Sequence, residues 1–128
     1  MELARSLGFD NISIDLISSL PNQTIEKLDY TLHRAIALRP EHISAYSLIY
    51  EEGTPLYKSW KAGKISKIDE DRDADLYLQT LQKLKDAGYE QYEVSNFAKD
   101  GKKCLHNINY WKGGEYYAFG PSGHGYID

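Results

Sequence analysis

The residues best suited to chemistry crowd into the end of the chain. The stretch "LHNINYWKGGEYYAFGPSGHGY", Leu105 to Tyr126, sets His106 beside Asn107 and places His124 within "GPSGHG", among Trp111 and a run of tyrosines. Imidazole and carboxamide groups donate and accept hydrogen bonds, aromatic rings offer flat apolar surface, and glycines let the backbone approach a ligand closely. Structural turns account for such glycines equally well, so a ligand-facing reading and a structural one both stand. Cys104, just upstream, is the one cysteine of the chain. Without an evident histidine–carboxylate arrangement, a lone thiol reads as a small hydrophobe rather than a nucleophile. It also excludes an internal disulfide framework and a metal site built from several thiolates of this chain, and no metal ligand is assigned.

Elsewhere, Asp15 interrupts an apolar run, where an ionised carboxylate needs either a structural partner or a ligand site. His33 falls on a predicted helix surface and His42 opens a predicted strand; neither is given a function.

These groups must be positioned by secondary structure, and the order of elements is readable. "ELARSLGF" reads as a helix stopped by Gly8. "NISIDLISSL" is nearly continuous in apolar and β-branched residues, the pattern of a strand buried on both faces. Thr24 caps a helix over "IEKLDYTLHRAIAL", which Pro40 bars from continuing. The strand "HISAYSLIY" follows. From Ile12 to Ile43 is about the length of one βαβ unit, so the two strands are expected to be parallel neighbours. A short helix is expected from Pro55, then a long one over "DEDRDADLYLQTLQKLKDAGY", with Leu76, Leu81 and Leu84 facing the core and Gly88 ending it. "YEQYEVSNF" reads as one further strand and "YYAFGPSGHGYI" as another extended segment interrupted by glycines.

The chain has 128 residues, 41% hydrophobic and 27% charged, with a net charge of −4. That suits a globular α/β protein and gives no electrostatic reason to expect nucleic acid. No apolar run approaches a membrane span, and "MELARSLGFD" lacks the regions of a signal peptide; the expectation is a cytoplasmic protein. One crossover helix cannot cover both faces of a parallel sheet. The sequence therefore reads as a fragment of a larger α/β domain, with apolar surface on the sheet's open side and a tendency to self-associate.

Four stretches in order, "DLISSLPNQT" (Asp15 to Thr24), "HISAYSLIYEEGTPLY" (His42 to Tyr57), "YEVSNFAKDGKKCLHNINYW" (Tyr92 to Trp111) and "FGPSGHGY" (Phe119 to Tyr126), resemble successive motifs of the oxygen-independent coproporphyrinogen III oxidase-like radical SAM family (HemN/HemW-like). They are most similar to the branch that includes heme chaperones. The resemblance implies the C-terminal part of a partial (β/α)6 barrel: residues 1–50 as the last barrel βα units, and 51–128 as helical and extended segments that close it. It also implies a larger protein that uses S-adenosylmethionine and a [4Fe–4S] cluster held by a CxxxCxxC loop, which this sequence lacks.

Carried over by position, Asp15, Tyr46, Ile49, Gly120 and His124 are expected to face S-adenosylmethionine, and His106 and Asn107 the porphyrinogen or heme. Two functions fit: a coproporphyrinogen III oxidase-like oxidoreductase of heme biosynthesis, or a heme-binding and heme-delivery chaperone. Departures from the family pattern are Ser19 and Asn22 for the glycines of "GLPGQT", and Ser122 and Gly123 within "GPGAH".

Overall fold

The computed structural model describes residues 1–127. Its first element is α1 (Glu2–Ser6), which buries no residue of its own. Polar contacts tie it down instead: the Arg5 guanidinium donates to both oxygens of Glu41 at 3.0 and 2.9 Å and to the Arg39 carbonyl at 2.9 Å. Glu41 in turn accepts the Ile12 N–H at 2.8 Å.

β1 (Ser13–Ser18) and β2 (His42–Ser47) are parallel neighbours, in register from Ser13 opposite His42 to Ser18 opposite Ser47. The crossover is α2 (Ile25–Ala37), whose N-cap Thr24 accepts the Lys27 N–H through its side chain. This is the βαβ unit that the spacing predicts. α3 (Pro55–Lys61) begins with proline in its first turn behind the cap Thr54. α4 (Glu70–Asp86) is capped by Asp69, carries Glu70, Asp71 and Asp73 in its first turn and Lys83 and Lys85 in its last, and so matches the helix dipole at both ends. Gly88, at φ +82°, turns the chain out of it.

The expected strand "YEQYEVSNF" is instead two short strands, β3 (Glu90–Gln91) and β4 (Asn96–Ala98), paired antiparallel; β4 also pairs antiparallel with β2. The sheet order is β1-β2-β4-β3. The Tyr89 hydroxyl donates to the Pro40 carbonyl at 2.7 Å, fixing the approach to β3 against the start of β2. α5 (Leu105–Trp111) follows. The glycine-rich end, expected as an extended segment, makes only one antiparallel bridge, Tyr116 to Tyr126.

One face of the sheet carries the core. Leu28 and Leu32 of α2, Leu76 and Leu84 of α4, and Ile43 and Phe97 of the sheet are buried, with Ile14, Leu16 and Leu81 packed partly against them. Each fully buried side chain of this kind contributes roughly 1.5–3 kcal/mol over an exposed one.

Two expectations need correcting here. β1 is not buried on both faces: its residues alternate between exposed and half-buried up to Ser18. Nor is the open side of the sheet broadly apolar, because the residues that alternate with the core positions are Ser13, Asp15 and Ile17 on β1 and His42, Ser44 and Tyr46 on β2. Exposed apolar side chains lie elsewhere, on Leu3, Leu7 and Phe9 around α1 and on Trp111 and Phe119 toward the end.

Candidate functional site

Because strand side chains alternate in direction, the polar row of β1 and β2 lies on the face away from α2 and α4. α5 and the loop before it stand over part of that row. Between them is a cavity of about 550 Å³ whose floor is Ser13, Asp15, His42, Ser44 and Tyr46 and whose rim is the 101–105 segment with Asn107. Such a volume lies within the usual range of small-molecule sites. The rim brings two cations, Lys102 and Lys103, the latter paired with Glu90 at 2.7 Å.

His42, for which no role is expected from sequence, is the hinge of this arrangement. It is 6% exposed. Its Nδ1 lies 2.8 Å from Ser13 Oγ and its Nε2 lies 2.8 Å from the Tyr92 hydroxyl, which also accepts the Cys104 N–H at 3.2 Å. One chain of hydrogen bonds thus joins β1, β2, the β3–β4 connection and the N-terminus of α5. Burial holds the His42 imidazole below its ordinary value, against the pull of Asp15 and Glu93, and burial pushes the Tyr92 hydroxyl up. A neutral ring donates from one nitrogen and accepts at the other, which satisfies both contacts.

Of the residues expected at the site, Asp15, Tyr46 and Asn107 meet around this cavity. Asp15 stands exposed on the open face, so it needs no buried structural partner. His106, next to Asn107 in sequence, does not line the cavity and is exposed: its Nε2 lies 3.1 Å from the Tyr110 hydroxyl, with the two rings edge to face. Ile49 lies beyond the end of β2 and is 73% exposed. Gly120, at φ +92°, and His124, whose Nδ1 lies 2.9 Å from the Ser122 carbonyl oxygen, sit in the exposed loop closed by the Tyr116–Tyr126 bridge. They do not join Asp15 at the cavity. The alternation Ser13-Asp15 and His42-Ser44-Tyr46 was the signal that could have identified the polar floor, including His42.

A [4Fe–4S] cluster does not fit these residues. Cys104 is the one thiol, and among the described residues no three His, Cys, Asp or Glu side chains converge as metal ligands. S-adenosylmethionine fits better, since its hydroxyl and ammonium donors match the acceptors Asp15, Ser44 and Tyr46 on the cavity floor.

The backbone also answers the departures from the family pattern. Ser19, Asn22 and Ser122, each standing for a family glycine, all adopt left-handed backbone, with φ of 60°, 57° and 62°. Ser19 is further held by a hydrogen bond from its hydroxyl to Asp73 of α4, which also accepts from Ser47 at 3.1 Å.

No family model matches the chain. It is 41% identical to the heme chaperone HemW of Bacillus subtilis over 126 residues, 98% of the chain and 33% of that protein. It is 42% identical to the heme chaperone HemW of Haemophilus influenzae over 125 residues, 98% of the chain and 32% of that protein. Among solved structures, coproporphyrinogen III oxidase (HemN) from Escherichia coli, described as a radical SAM enzyme, superposes on 89% of the chain and 26% of its own length with a TM-score of 0.67 and 25% identity. The chain thus spans about a third of the length of the curated relatives it matches. The resemblance read from the four motifs is borne out, and so is the α/β fold. No helix among the described residues is long and apolar enough to cross a membrane.

Proposed function

We propose that this relative of the HemN/HemW-like radical SAM proteins forms part of a heme-binding, heme-delivering protein, supplying the floor and one wall of its ligand site. The observation that carries the reading is the polar row of β1 and β2 roofed by α5, with Lys102 and Lys103 at the rim. A tetrapyrrole is flat, apolar in its body and acidic at its edge. Cations and the Asn107 amide suit its carboxylates, and aromatic side chains on α5 suit its faces. His106, exposed on α5, is the group that we assign to approach such a ligand from outside the cavity.

Heme delivery is favoured over oxidation of coproporphyrinogen because the relatives at 41% and 42% identity are heme chaperones, whereas the oxidase is 25% identical. Asp15 and Tyr46 would hold S-adenosylmethionine where the larger protein binds it, with Ile49, Gly120 and His124 reaching it from beyond the cavity. The radical chemistry that this cofactor supplies needs a cluster, and this chain's residues do not hold one.

The test is titration with hemin followed by the Soret band. Saturable binding, weakened severalfold by Lys102→Glu with Lys103→Glu and by His106→Ala, is expected. Unsaturable binding, indifferent to these changes, would refute the reading. Release of carbon dioxide from coproporphyrinogen III by a longer protein that carries this sequence would favour the oxidase instead.

A further inference from the structure

Next to the cavity already described lies a smaller one of about 220 Å³, sharing Tyr46 and Asn107 with it and otherwise lined by Glu93, Asn96, Tyr110 and Trp111. Its chemistry is the reverse of its neighbour's. The larger cavity has two lysines at its rim, while the smaller is lined by no cation and gathers a carboxylate, two carboxamides and three aromatic rings.

Asn96 is the central observation. It lies on β4 opposite Ser44 and is 5% exposed, yet its Oδ1 has no hydrogen-bond partner among the described residues. The orientation of the amide is not in question. Its Nδ2 donates to Oε1 of Glu93, so turning the group over would set oxygen against carboxylate. Oε1 of Glu93 also accepts the Ser95 N–H at 3.0 Å, which fixes the carboxylate in place and leaves its second oxygen outside both bonds. A buried acceptor without a donor is costly, and native structures fill such positions.

We infer that this cavity binds an organic cation, an alkylammonium or alkylguanidinium group that donates to Asn96 Oδ1 and Glu93 while Tyr46, Tyr110 and Trp111 face its charge. The unpaired Asn96 oxygen and the Glu93 carboxylate both call for a donor. Aromatic faces and a carboxylate both favour positive charge, and a neutral donor would leave Glu93 uncompensated. The cavity shares Tyr46 and Asn107 with its neighbour and its aromatic rings with the heme reading, and is set apart from that reading by Glu93, Asn96 and a ligand of opposite charge.

Trp111 reports occupancy directly. In a Trp60→Phe background it is the sole tryptophan of the chain. Titration with agmatine, and with an acetylated and amidated Gly-Arg-Gly peptide, should change its fluorescence saturably; the tighter of the two identifies whether a small molecule or a protein side chain is the source. The uncharged n-butylurea should bind at least tenfold more weakly. Glu93→Gln, which keeps Oε1 as acceptor for Ser95 and Asn96, should weaken agmatine at least tenfold. Asn96→Leu should do likewise. If Asn96→Leu fails to fold by circular dichroism, Glu93→Gln decides alone. Equal binding of n-butylurea, unchanged affinity in Glu93→Gln, or no saturable response in the parent sequence overturns the inference.

Discussion

Nε2 of His42 and the hydroxyl of Tyr92 lie 2.8 Å apart, and this contact fastens the α5 roof to the sheet, because the same hydroxyl accepts the Cys104 N–H. Tyr92→Phe removes the shared partner of His42 and of the Cys104 N–H. A buried group left unpaired costs about 1–3 kcal/mol, so the urea midpoint is expected to fall accordingly. The Cys104 amide should exchange with solvent faster than in the parent, by hydrogen exchange and mass spectrometry. An unchanged midpoint with unchanged exchange would mean that the roof is held by other contacts.

Stability should fall on mild acidification. Burial lowers the His42 value in the folded chain below the ordinary 6.5, so as pH drops past that value the unfolded chain binds the proton first. The contribution of the neutral ring is therefore full above about pH 6.5 and is lost as pH falls toward the lower folded value. Asp15 and Glu93 favour the charged ring and reduce the effect without reversing it. Urea unfolding at a series of pH values between neutrality and pH 5 checks the sign, and His42→Gln should flatten the profile in this window. Glu41, whose bonds from Ile12 and Arg5 outweigh burial and hold it below its ordinary value, titrates lower and leaves this window clear.

Two serines in left-handed backbone, Ser19 and Ser122, give a graded prediction. Ser122→Gly relieves an unfavourable conformation worth roughly 1–2 kcal/mol, set against the greater freedom that glycine adds to the unfolded chain. The net change should be between zero and about 1 kcal/mol stabilising. Ser122→Val should destabilise by about 1–2 kcal/mol. At Ser19 the same exchange to glycine should stabilise less or destabilise, since it forfeits the hydrogen bond to Asp73. Chemical unfolding of the three variants decides it, and identical responses at both sites would refute the distinction.

Asp73 ties the first turn of α4 to the ends of both parallel strands through Ser19 and Ser47. Asp73→Ala should cost about 1–3 kcal/mol, most of it from the buried Ser19 hydroxyl left without a partner. Asp73→Asn, which keeps an acceptor, should cost less. A surface-like response, under 0.5 kcal/mol in thermal or urea unfolding, would show that the two serines find water instead.

Leu3 of α1 and Leu7 at its C-cap face solvent at 73% and 68% exposure, with Phe9 close behind. Apolar side chains grouped on one edge favour association. Sedimentation velocity over a range of concentrations should show reversible self-association, reduced by Leu3→Lys with Leu7→Lys. A concentration-independent monomer would contradict it.

What the sequence made legible was local. Thr24 and Pro40 bracket α2 with signals that act within one turn of the helix, and the βαβ spacing dictates a parallel pair because a short hairpin cannot join strands so far apart. The alternation over "YEQYEVSNF" predicts one strand where the chain forms β3 and β4, since Gln91 pairs with Phe97 through a tertiary fit that no propensity announces. The role of His42 is not legible in sequence because its partners Ser13 and Tyr92 lie 29 and 50 positions away. Asp15, Tyr46 and Asn107 are expected at the site through motif position, whereas Asn96 and Glu93, in the same motif as Asn107, become visible only when one amide oxygen is seen to lack a donor.

Tyr116 and Tyr126 exchange both backbone hydrogen bonds, at 2.8 and 2.9 Å, and so form a neck beneath the loop of residues 117–125. A loop closed at its neck tolerates changes in length, since doubling it adds only about 0.6 kcal/mol of closure entropy. Its tip, with Phe119 90% exposed, is thus the place where an inserted tag or spectroscopic label should be carried without disturbing the rest of the molecule.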